Sequence, residues 1–215
     1  MVRKCSIAKL SGFDAEYVLG RSYVVGIDEA GRGALAGPVV AAAMAVSSKA
    51  YSSEKFLEAI QGLDDSKKLT EKKREKLFDI IKEQAIDVSV GIATEKEIDA
   101  QNILKATFLA MKRAVDRLSV SPDYALVDGN RNPNIGLPTT CIIKGDATSP
   151  SIAAASIIAK VTRDRMMIEL DKEFPEYLFK KHKGYGTKLH YEKIKEFGIL
   201  DVHRRSFLKN LKEHE

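Results

Sequence analysis

Acidic side chains follow three separate apolar runs of this 215-residue chain. Asp28 and Glu29 come after the first run, Asp128 comes after the second, and Asp146 follows the third at a short distance. Four carboxylates delivered to one place by three strand ends would repel one another. Divalent cations such as Mg²⁺ or Mn²⁺, which prefer oxygen ligands, neutralise such a cluster. The pattern therefore predicts a metal site that performs phosphoryl chemistry.

Each of these acids, taken alone, also has a plain structural explanation. Adjacent acids such as Asp28 and Glu29 are common on surface turns, and Asp128 begins an Asp-Gly-Asn sequence that suits a turn. Asp146 stands three residues before a predicted helix start, where it assists capping. The convergence of three apolar runs on acid, with no nearby basic residue to pair all four, favours the metal site.

The elements that must position these acids follow from periodicity and from turn and cap residues. We predict strands at about 22–29, 37–47, 86–93, 124–128 and 139–145, and helices at about 53–61, 70–85, 104–118 and 149–173. A glycine-dense turn over 31–37 joins the first two strands. This order predicts an α/β fold with a mixed sheet of five strands, flanked by helices.

The charge along the chain suggests three segments. Residues 1–20 are predicted to be a lead-in, 21–175 a catalytic domain and 176–215 a small, basic, helical C-terminal lobe. The net charge is +5, and residues 178–212 alone hold ten Lys or Arg against three acids. A basic surface beside an acidic site suits a nucleic-acid backbone, whereas a solvated lysine-rich helix explains the same charge without any ligand.

Three histidines lie in the basic stretch, and no metal-ligand spacing relates them. They are His182, His190 and His203. We expect them to face phosphates or solvent.

Composition excludes membrane-spanning, secreted and zinc-binding classes. No apolar run approaches the roughly 20 residues that span a bilayer, and the first residues lack the apolar stretch of a secretory signal. Cys5 and Cys141 make neither a disulfide framework nor a zinc site by spacing. We expect a cytoplasmic monomer that does not bind membranes.

Seven ordered motifs run from residue 26 to residue 207. The first is the run Gly-Ile-Asp-Glu-Ala-Gly-Arg-Gly-Ala-Leu-Ala-Gly-Pro-Val over 26–39. The others are Asp-Ser-Lys-Lys-Leu over 65–69, Val-Asp-Gly-Asn over 127–130, Lys-Gly-Asp over 144–146, the alanine-rich run over 153–164, His-Lys-Gly-Tyr-Gly-Thr over 182–187 and His-Arg-Arg-Ser-Phe over 203–207. Together they resemble the ribonuclease HII family, which cleaves the RNA strand at ribonucleotides within duplex DNA.

The resemblance implies a ribonuclease H-like fold and an endoribonuclease site made of Asp28, Glu29, Asp128 and Asp146. It implies hydrolysis of the RNA strand of RNA/DNA hybrids and incision 5′ to single ribonucleotides in duplex DNA, with 5′-phosphate and 3′-hydroxyl products. By similarity, two Mn²⁺ or Mg²⁺ ions bind these acids, and Asp28 bridges both. Asp146 then shares the ion that activates water, while Glu29 and Asp128 hold the ion at the leaving oxygen.

The same resemblance assigns residues to substrate recognition. The backbone of Gly31-Arg32-Gly33 is expected to read the ribose 2′-hydroxyl, since glycines permit close approach and this hydroxyl distinguishes RNA from DNA. Tyr185, expected on a flexible turn, contacts the 2′-hydroxyl and stacks on the next sugar. An ordinary glycine turn and a half-buried core tyrosine are the plain alternatives. Ala34 stands where the family usually has proline, which loosens the turn.

Three further residues are assigned to substrate phosphates by analogy. They are Lys67 in a polar loop, and Ser156 and Lys160, which lie four residues apart on one helix face. Packing, or a salt bridge from Lys160 to Asp164, is the alternative explanation.

Three other functions compete with this interpretation. The sister family, ribonuclease HIII, acts on hybrids, but it differs between the glycines, where this chain has Arg32, and it carries an extra N-terminal domain. Aspartyl-phosphate phosphatases need a second Asp at position 30, where this chain has alanine. A non-catalytic nucleic-acid binder has no use for four clustered acids, which repel phosphates.

Overall fold

The computed structural model describes residues 13–47, 49 and 69–208. Within the predicted lead-in, residues 13–18 are helical. The helix predicted over 53–61 and the predicted phosphate contact Lys67 lie outside the described residues.

Five strands form one mixed sheet, as predicted. They are β1 (Val24–Ala30), β2 (Val39–Val46), β3 (Asp87–Ala93), β4 (Tyr124–Asp128) and β5 (Thr139–Ile142). Their order across the sheet is β3-β2-β1-β4-β5. Strands β1, β4 and β5 run parallel, whereas β2 is antiparallel to both β1 and β3. The carboxyl ends of β1, β4 and β5 therefore meet at one edge.

Helices connect and cover these strands. They are α1 (Glu71–Gln84), α2 (Glu95–Gln101), α3 (Ile103–Asp116), α4 (Pro150–Glu173) and α5 (Lys188–Phe197), with a helical turn at Phe179–His182 and 3₁₀ turns at Gly145–Ala147, Pro175–Tyr177 and Arg205–Phe207. The Thr70 hydroxyl accepts from the Lys73 N–H at the start of α1, and Ser149 caps α4 in the same way. Within the described residues, no helix is long and apolar enough to cross a membrane.

Two details differ from the prediction. Helix α2 was not predicted, although Thr94 and Glu97 form a capping box at its start. Strand β5 ends at Ile142 rather than at 145, because Lys144 adopts a left-handed φ of 57° and the chain then enters the 3₁₀ turn. Asp146 therefore projects from a turn and not from a strand end.

The sheet is buried on both faces, which is why β2 is apolar throughout. All eight of its residues are buried, and its alanines let helices approach closely. Alternate residues of β1 serve the two layers, since Val24 packs with α4 residues while Val25 and Ile27 pack with α3 residues. At Gly26 a Cβ atom would lie 2.3 Å from the Ser151 carbonyl carbon, so glycine is what allows α4 to contact β1.

The C-terminal residues pack on the glycine-rich segment, defined here as residues 31–38. Small apolar clusters join Ala36 to Tyr177 and Phe179, and Leu35 to Ile194. The division into lead-in, catalytic domain and lobe stays a prediction.

Two buried arginines hold the glycine-rich segment by its backbone. Arg163 donates through Nε to Pro38 O (2.9 Å) and through Nη2 to Ala36 O (3.0 Å). Arg204 donates through Nε to Gly37 O and through Nη1 to Arg32 O, both at 2.9 Å. Both side chains are fully buried. Burial, together with the charge of Arg163, lowers the pKa of Arg204 to about 9, which leaves it cationic at neutral pH.

The turn that carries Tyr185 is held against the same segment. The Leu35 N–H donates to Gly184 O at 2.8 Å, and Ala34 and Tyr185 form an isolated β-bridge. Arg163 Nη1 also donates to Lys183 O at 2.8 Å. The expected flexible turn is therefore wrong, because backbone hydrogen bonds fix it to the glycine-rich segment.

The expectation of solvent- or phosphate-facing histidines is also wrong. His182, His190 and His203 are all buried and lie beside Tyr177 and Phe179. Burial lowers the pKa of His190 to about 3 and that of His203 to about 4, and it lowers the pKa of His182 as well. The three rings are therefore neutral in the folded protein at neutral pH.

Two glycines test whether Arg163 and Arg204 hold the glycine-rich segment in place, an arrangement that we call the arginine clamp. Gly31 has a φ of +94°, and a Cβ there would lie 2.0 Å from Arg163 Nε, whereas a Cβ at Gly33 would meet nothing within 4 Å. We expect Gly31→Ala to lower the free energy of unfolding by about 2–4 kcal/mol through strain and overlap. Gly33→Ala should stay near wild type in urea unfolding, and equal effects of the two changes would contradict the clamp.

The buried histidines predict acid sensitivity. Their pKa values are lowered by folding, so their contribution to stability is complete above about pH 6.5 and falls as the pH drops toward 4, by about 1.4 kcal/mol per unit for His190 and for His203. Asp28, whose pKa is raised, contributes with the opposite sign. His203→Gln should make the decline in the free energy of unfolding between pH 7 and 5 shallower, because one titrating ring is gone and Asp28 is unchanged. Tyr177→Phe should keep the wild-type slope. Identical slopes in all three proteins would refute the assignment.

Candidate active site

A cavity of about 370 Å³ opens where β1 and β4 end. Its lining residues are Asp28, Glu29, Ala30, Gly31, Arg32, Gly33, Arg74, Asp128, Ser156, Lys160 and Tyr185. Nine of the eleven predicted site residues are therefore brought together. The exceptions are Asp146, which does not line this cavity, and Lys67, which lies outside the described residues.

Strand register explains why two of the acids meet. Strands β1 and β4 pair in parallel from Val24 with Tyr124 up to Ile27 with Val127. The next residues along the two strands are Asp28 and Asp128, so both carboxylates reach the same edge. Glu29 follows while β1 continues in its pairing with β2.

Asp28 is the most constrained of the acids. It is only 5% exposed. Its burial raises its pKa well above the ordinary value, and the charges of Glu29 and Asp128 raise it further. Hydrogen bonds from the Ser156 hydroxyl and from the Glu29 N–H (2.7 Å) stabilise the carboxylate in part. Glu29 and Asp128 are therefore close enough to Asp28 for their charges to raise its pKa further.

Asp128 and Asp146 are linked through the 3₁₀ turn after β5. Asp128 Oδ1 accepts a hydrogen bond from the Gly145 N–H at 2.6 Å. Asp146 is the next residue and is 9% exposed. The turn therefore places the fourth acid beside the residue that binds Asp128, although its side chain does not reach the cavity wall.

The four acids are not already arranged as a complete set of metal ligands. Among the residues that the structure describes, no group of three or more His, Cys, Asp or Glu side chains is arranged to hold a metal ion. Glu29 is instead paired with Arg32 at 3.3 Å. The carboxylates match the oxygen chemistry that Mg²⁺ and Mn²⁺ prefer, so the donor type fits such ions.

Helix α4 supplies polar side chains to the cavity on one face. Ser156 donates to Asp28, and Lys160 forms an ion pair with Asp164 at 2.7 Å. The Lys160 ammonium also lies 5.6 Å from the centre of the Tyr185 ring. The predicted salt bridge is present, and both residues have partners within the protein.

Sequence reasoning missed three arginines around the site. Arg74 lines the cavity and donates to the Leu69 carbonyl. Arg163 lies 5.3 Å from the centre of the Tyr185 ring, and Arg204 donates to the Arg32 carbonyl. Arg163 and Arg204 stand inside two of the seven motifs, the runs over 153–164 and 203–207, but a sequence does not show that an arginine is buried.

A second cavity of about 380 Å³ adjoins the first across Glu29, Arg32 and Asp128. Its lining combines apolar residues such as Phe108 and Met111 with polar ones such as Asn130 and Arg131. The acidic edge therefore borders two open spaces.

Comparisons with known proteins agree with this architecture. A family model described as Ribonuclease HII matches residues 25–210. Ribonuclease HII of Clostridioides difficile (strain 630) is 51% identical over 206 residues, which make up 96% of this chain and 76% of that protein.

Solved structures show the same fold. The crystal structure of ribonuclease H2 from Pyrococcus horikoshii OT3 has a TM-score of 0.71 at 30% identity, covering 89% of this chain and 98% of that one. Bst-RNase HIII in complex with Mn²⁺ has a TM-score of 0.67 at 19% identity, covering 93% and 73%, and this likeness concerns the fold alone. The fold is ribonuclease H-like, and the chain belongs to the ribonuclease HII family.

Proposed function

We propose that this ribonuclease H hydrolyses the RNA strand of RNA/DNA hybrids and cuts 5′ to single ribonucleotides embedded in duplex DNA. The products carry 5′-phosphate and 3′-hydroxyl ends. One observation carries the proposal: the crowded carboxylates of Asp28, Glu29 and Asp128 line the same cavity as the glycine turn and Tyr185. Groups suited to phosphoryl chemistry and groups suited to reading a ribose thus share one space.

Two divalent cations, Mg²⁺ or Mn²⁺, complete the proposed site. The pKa of Asp28, which burial raises most and the charges of Glu29 and Asp128 raise further, supports this, because a dication stabilises the charged form of a buried and crowded carboxylate. Asp28, Glu29 and Asp128 would hold the ions, with Asp146 as a further ligand. When bound, such a pair supplies an activated water and stabilises the leaving 3′-oxygen.

The chain's own groups prepare the carboxylates for this task. Ser156 and the Glu29 N–H hold Asp28, and the Gly145 N–H holds Asp128. These bonds limit the rotation of two ligands before any ion arrives. As a metal ligand, Glu29 would give up its ion pair with Arg32, and the Arg32 guanidinium would then be able to bind a substrate phosphate.

Recognition of the ribose falls to backbone and ring. Gly33 is exposed and has open space around it, so a sugar can approach its peptide group closely. The 2′-hydroxyl both donates and accepts, which allows backbone groups to distinguish ribose from deoxyribose. Tyr185 offers a ring for stacking on the neighbouring sugar, and Lys67, Ser156 and Lys160 are the proposed phosphate contacts.

Two alternatives have less support. A non-catalytic nucleic-acid binder does not explain why acids are crowded around Asp28, since clustered carboxylates repel the phosphates that such a protein must bind. A ribonuclease HIII-like preference for hybrids lacks a supporting observation, because the family model that matches is that of ribonuclease HII. A cytoplasmic location and a monomeric state are part of the proposal.

A labelled duplex with one ribonucleotide tests the chemistry directly. We expect incision 5′ to the ribonucleotide only when Mg²⁺ or Mn²⁺ is present. Asp128→Asn should lower the rate by about 10³-fold, because a metal ligand contributes several kcal/mol to the transition state. The variant should still fold, since the amide oxygen can accept from the Gly145 N–H.

Asp116→Asn is the matched control, because Asp116 is an exposed acid at the end of α3 that pairs with Lys112 on the same helix. It should keep wild-type rates. Undiminished turnover of Asp128→Asn, or equal cutting of an all-DNA duplex, would reject the proposed function.

Variants of Tyr185 test recognition separately from chemistry. We expect Tyr185→Ala to lower kcat/KM on the single-ribonucleotide duplex by about tenfold or more through lost stacking, with a smaller loss on a continuous hybrid. Tyr185→Phe keeps the ring and should lose only the contribution of the hydroxyl. Steady-state kinetics on both substrates measure the ratio, and an unchanged ratio for Tyr185→Ala would argue against a recognition role.

A further inference from the structure

Three imidazole rings are stacked beneath the turn that carries Tyr185. The rings of His182 and His190 lie 4.2 Å apart at an interplanar angle of 17°, and those of His190 and His203 lie 5.3 Å apart. Phe179 packs edge-on against His182 and His190. All three residues are buried, with at most 7% of the surface of each exposed.

Backbone hydrogen bonds fix the protonation of each ring. The Gly184 N–H donates to His182 Nδ1 (3.2 Å), and the Leu200 N–H donates to His203 Nδ1 (2.9 Å). A nitrogen that accepts carries no proton, so His182 and His203 bear theirs on Nε2. His203 Nε2 then donates to His190 Nε2 at 3.1 Å.

The relay ends on the backbone of Tyr185. Because His190 Nε2 accepts from His203, the proton of His190 lies on Nδ1, which donates to Tyr185 O at 3.0 Å. The Thr187 N–H donates to the same oxygen at 2.8 Å, and the Tyr185 N–H donates to His182 O at 2.9 Å. Both peptide groups of Tyr185 are therefore held from the side of the histidine stack.

The neighbours of Tyr185 make this support necessary. Gly184 has a φ of +80°, and Gly186 is exposed. Two glycines restrict the backbone between them very little. The hydrogen bonds from His190 and to His182 O therefore help to position Tyr185, beside its β-bridge to Ala34 and the contacts of its ring with Arg163 and Lys160.

We propose that His190 and His203 are positioning residues for substrate recognition, acting through a relay of hydrogen bonds from the Leu200 N–H through both rings to Tyr185 O. The inference rests on the proposed function, in which Tyr185 contacts the substrate. Neither histidine touches substrate, and neither exchanges a proton during the reaction.

The test is a double-mutant cycle on a duplex with one ribonucleotide. His190→Leu removes the donor to Tyr185 O and should lower kcat/KM by about tenfold, since a small misplacement of a recognition group is costly. His190→Asn places an amide donor near the position of Nδ1 and should recover most of this loss. In a Tyr185→Ala background, His190→Leu should cause no further loss, because the relay acts through the absent ring.

Tyr177→Phe is the matched control. Tyr177 lies in the same aromatic cluster, and its hydroxyl donates to Gly198 O at 2.8 Å, away from Tyr185. The kcat/KM of this variant should match that of the wild type even if its stability changes. A loss on His190→Leu that simply adds to that of Tyr185→Ala would overturn the inference and reduce the histidines to a structural role.

The outcomes separate the two proposals. A wild-type protein that fails to cut at the ribonucleotide overturns both, whereas a loss on Tyr185→Ala without a loss on His190→Leu overturns the relay alone. If a variant does not fold, ¹⁵N NMR of histidine-labelled wild-type protein at pH 7 tests the relay without any substitution. The relay requires a neutral His190 with its proton on Nδ1 and a His203 protonated on Nε2. A charged His190, or the opposite tautomer, contradicts it.

Discussion

Repulsion among carboxylates at one edge of the sheet is the constraint on which the rest of this structure depends. Parallel pairing of β1 with β4 carries Asp28 and Asp128 to the same edge, and Glu29 follows Asp28 along the strand. An acid that is buried among other acids destabilises the fold unless something compensates. In the protein alone the compensation is partial, because Ser156 and two backbone N–H groups hold Asp28 and Asp128. The remaining cost is a reason to expect cations at the site.

The two buried arginines near the site are stabilised differently from the carboxylates. Arg163 and Arg204 are buried, yet their hydrogen bonds go to backbone carbonyls of the glycine-rich segment and of Lys183. A buried carboxylate–arginine pair would have neutralised both groups and removed the ligands from use. Because Arg163 and Arg204 bind backbone carbonyls instead, they hold the glycine-rich segment in place. Arg32, by contrast, is a cation that does pair with an acid of the site, since it lies 3.3 Å from Glu29.

Local patterns in the sequence were enough to predict the sheet and to place Asp28, Glu29 and Asp128 at one of its edges, and the misjudged parts depend on distant contacts. Alternation and apolar runs located the five strands, while the capping box of Thr94 and Glu97 could also have predicted α2. The turn that carries Asp146 depends on the left-handed conformation of Lys144. A lysine in the sequence does not predict that conformation. His190 and Arg204 are buried because the chain folds back over the glycine-rich segment. Contacts between residues about 170 positions apart leave no periodic trace in a single sequence.

This return of the chain gives the proposed recognition groups and the carboxylates separate supports. The acids stand on the sheet and on the turn after β5, where α4 and the strand pairing hold them. The carbonyls of Arg32 and Gly37 are held by Arg204, and Tyr185 is held by the histidine stack. A change in the C-terminal residues is therefore expected to move the proposed ribose contacts more than the carboxylates. Loss of Arg204 would release the carbonyls of Arg32 and Gly37 and leave the proposed metal ligands on the sheet and the turn after β5, so we expect it to change substrate choice more than the capacity for hydrolysis.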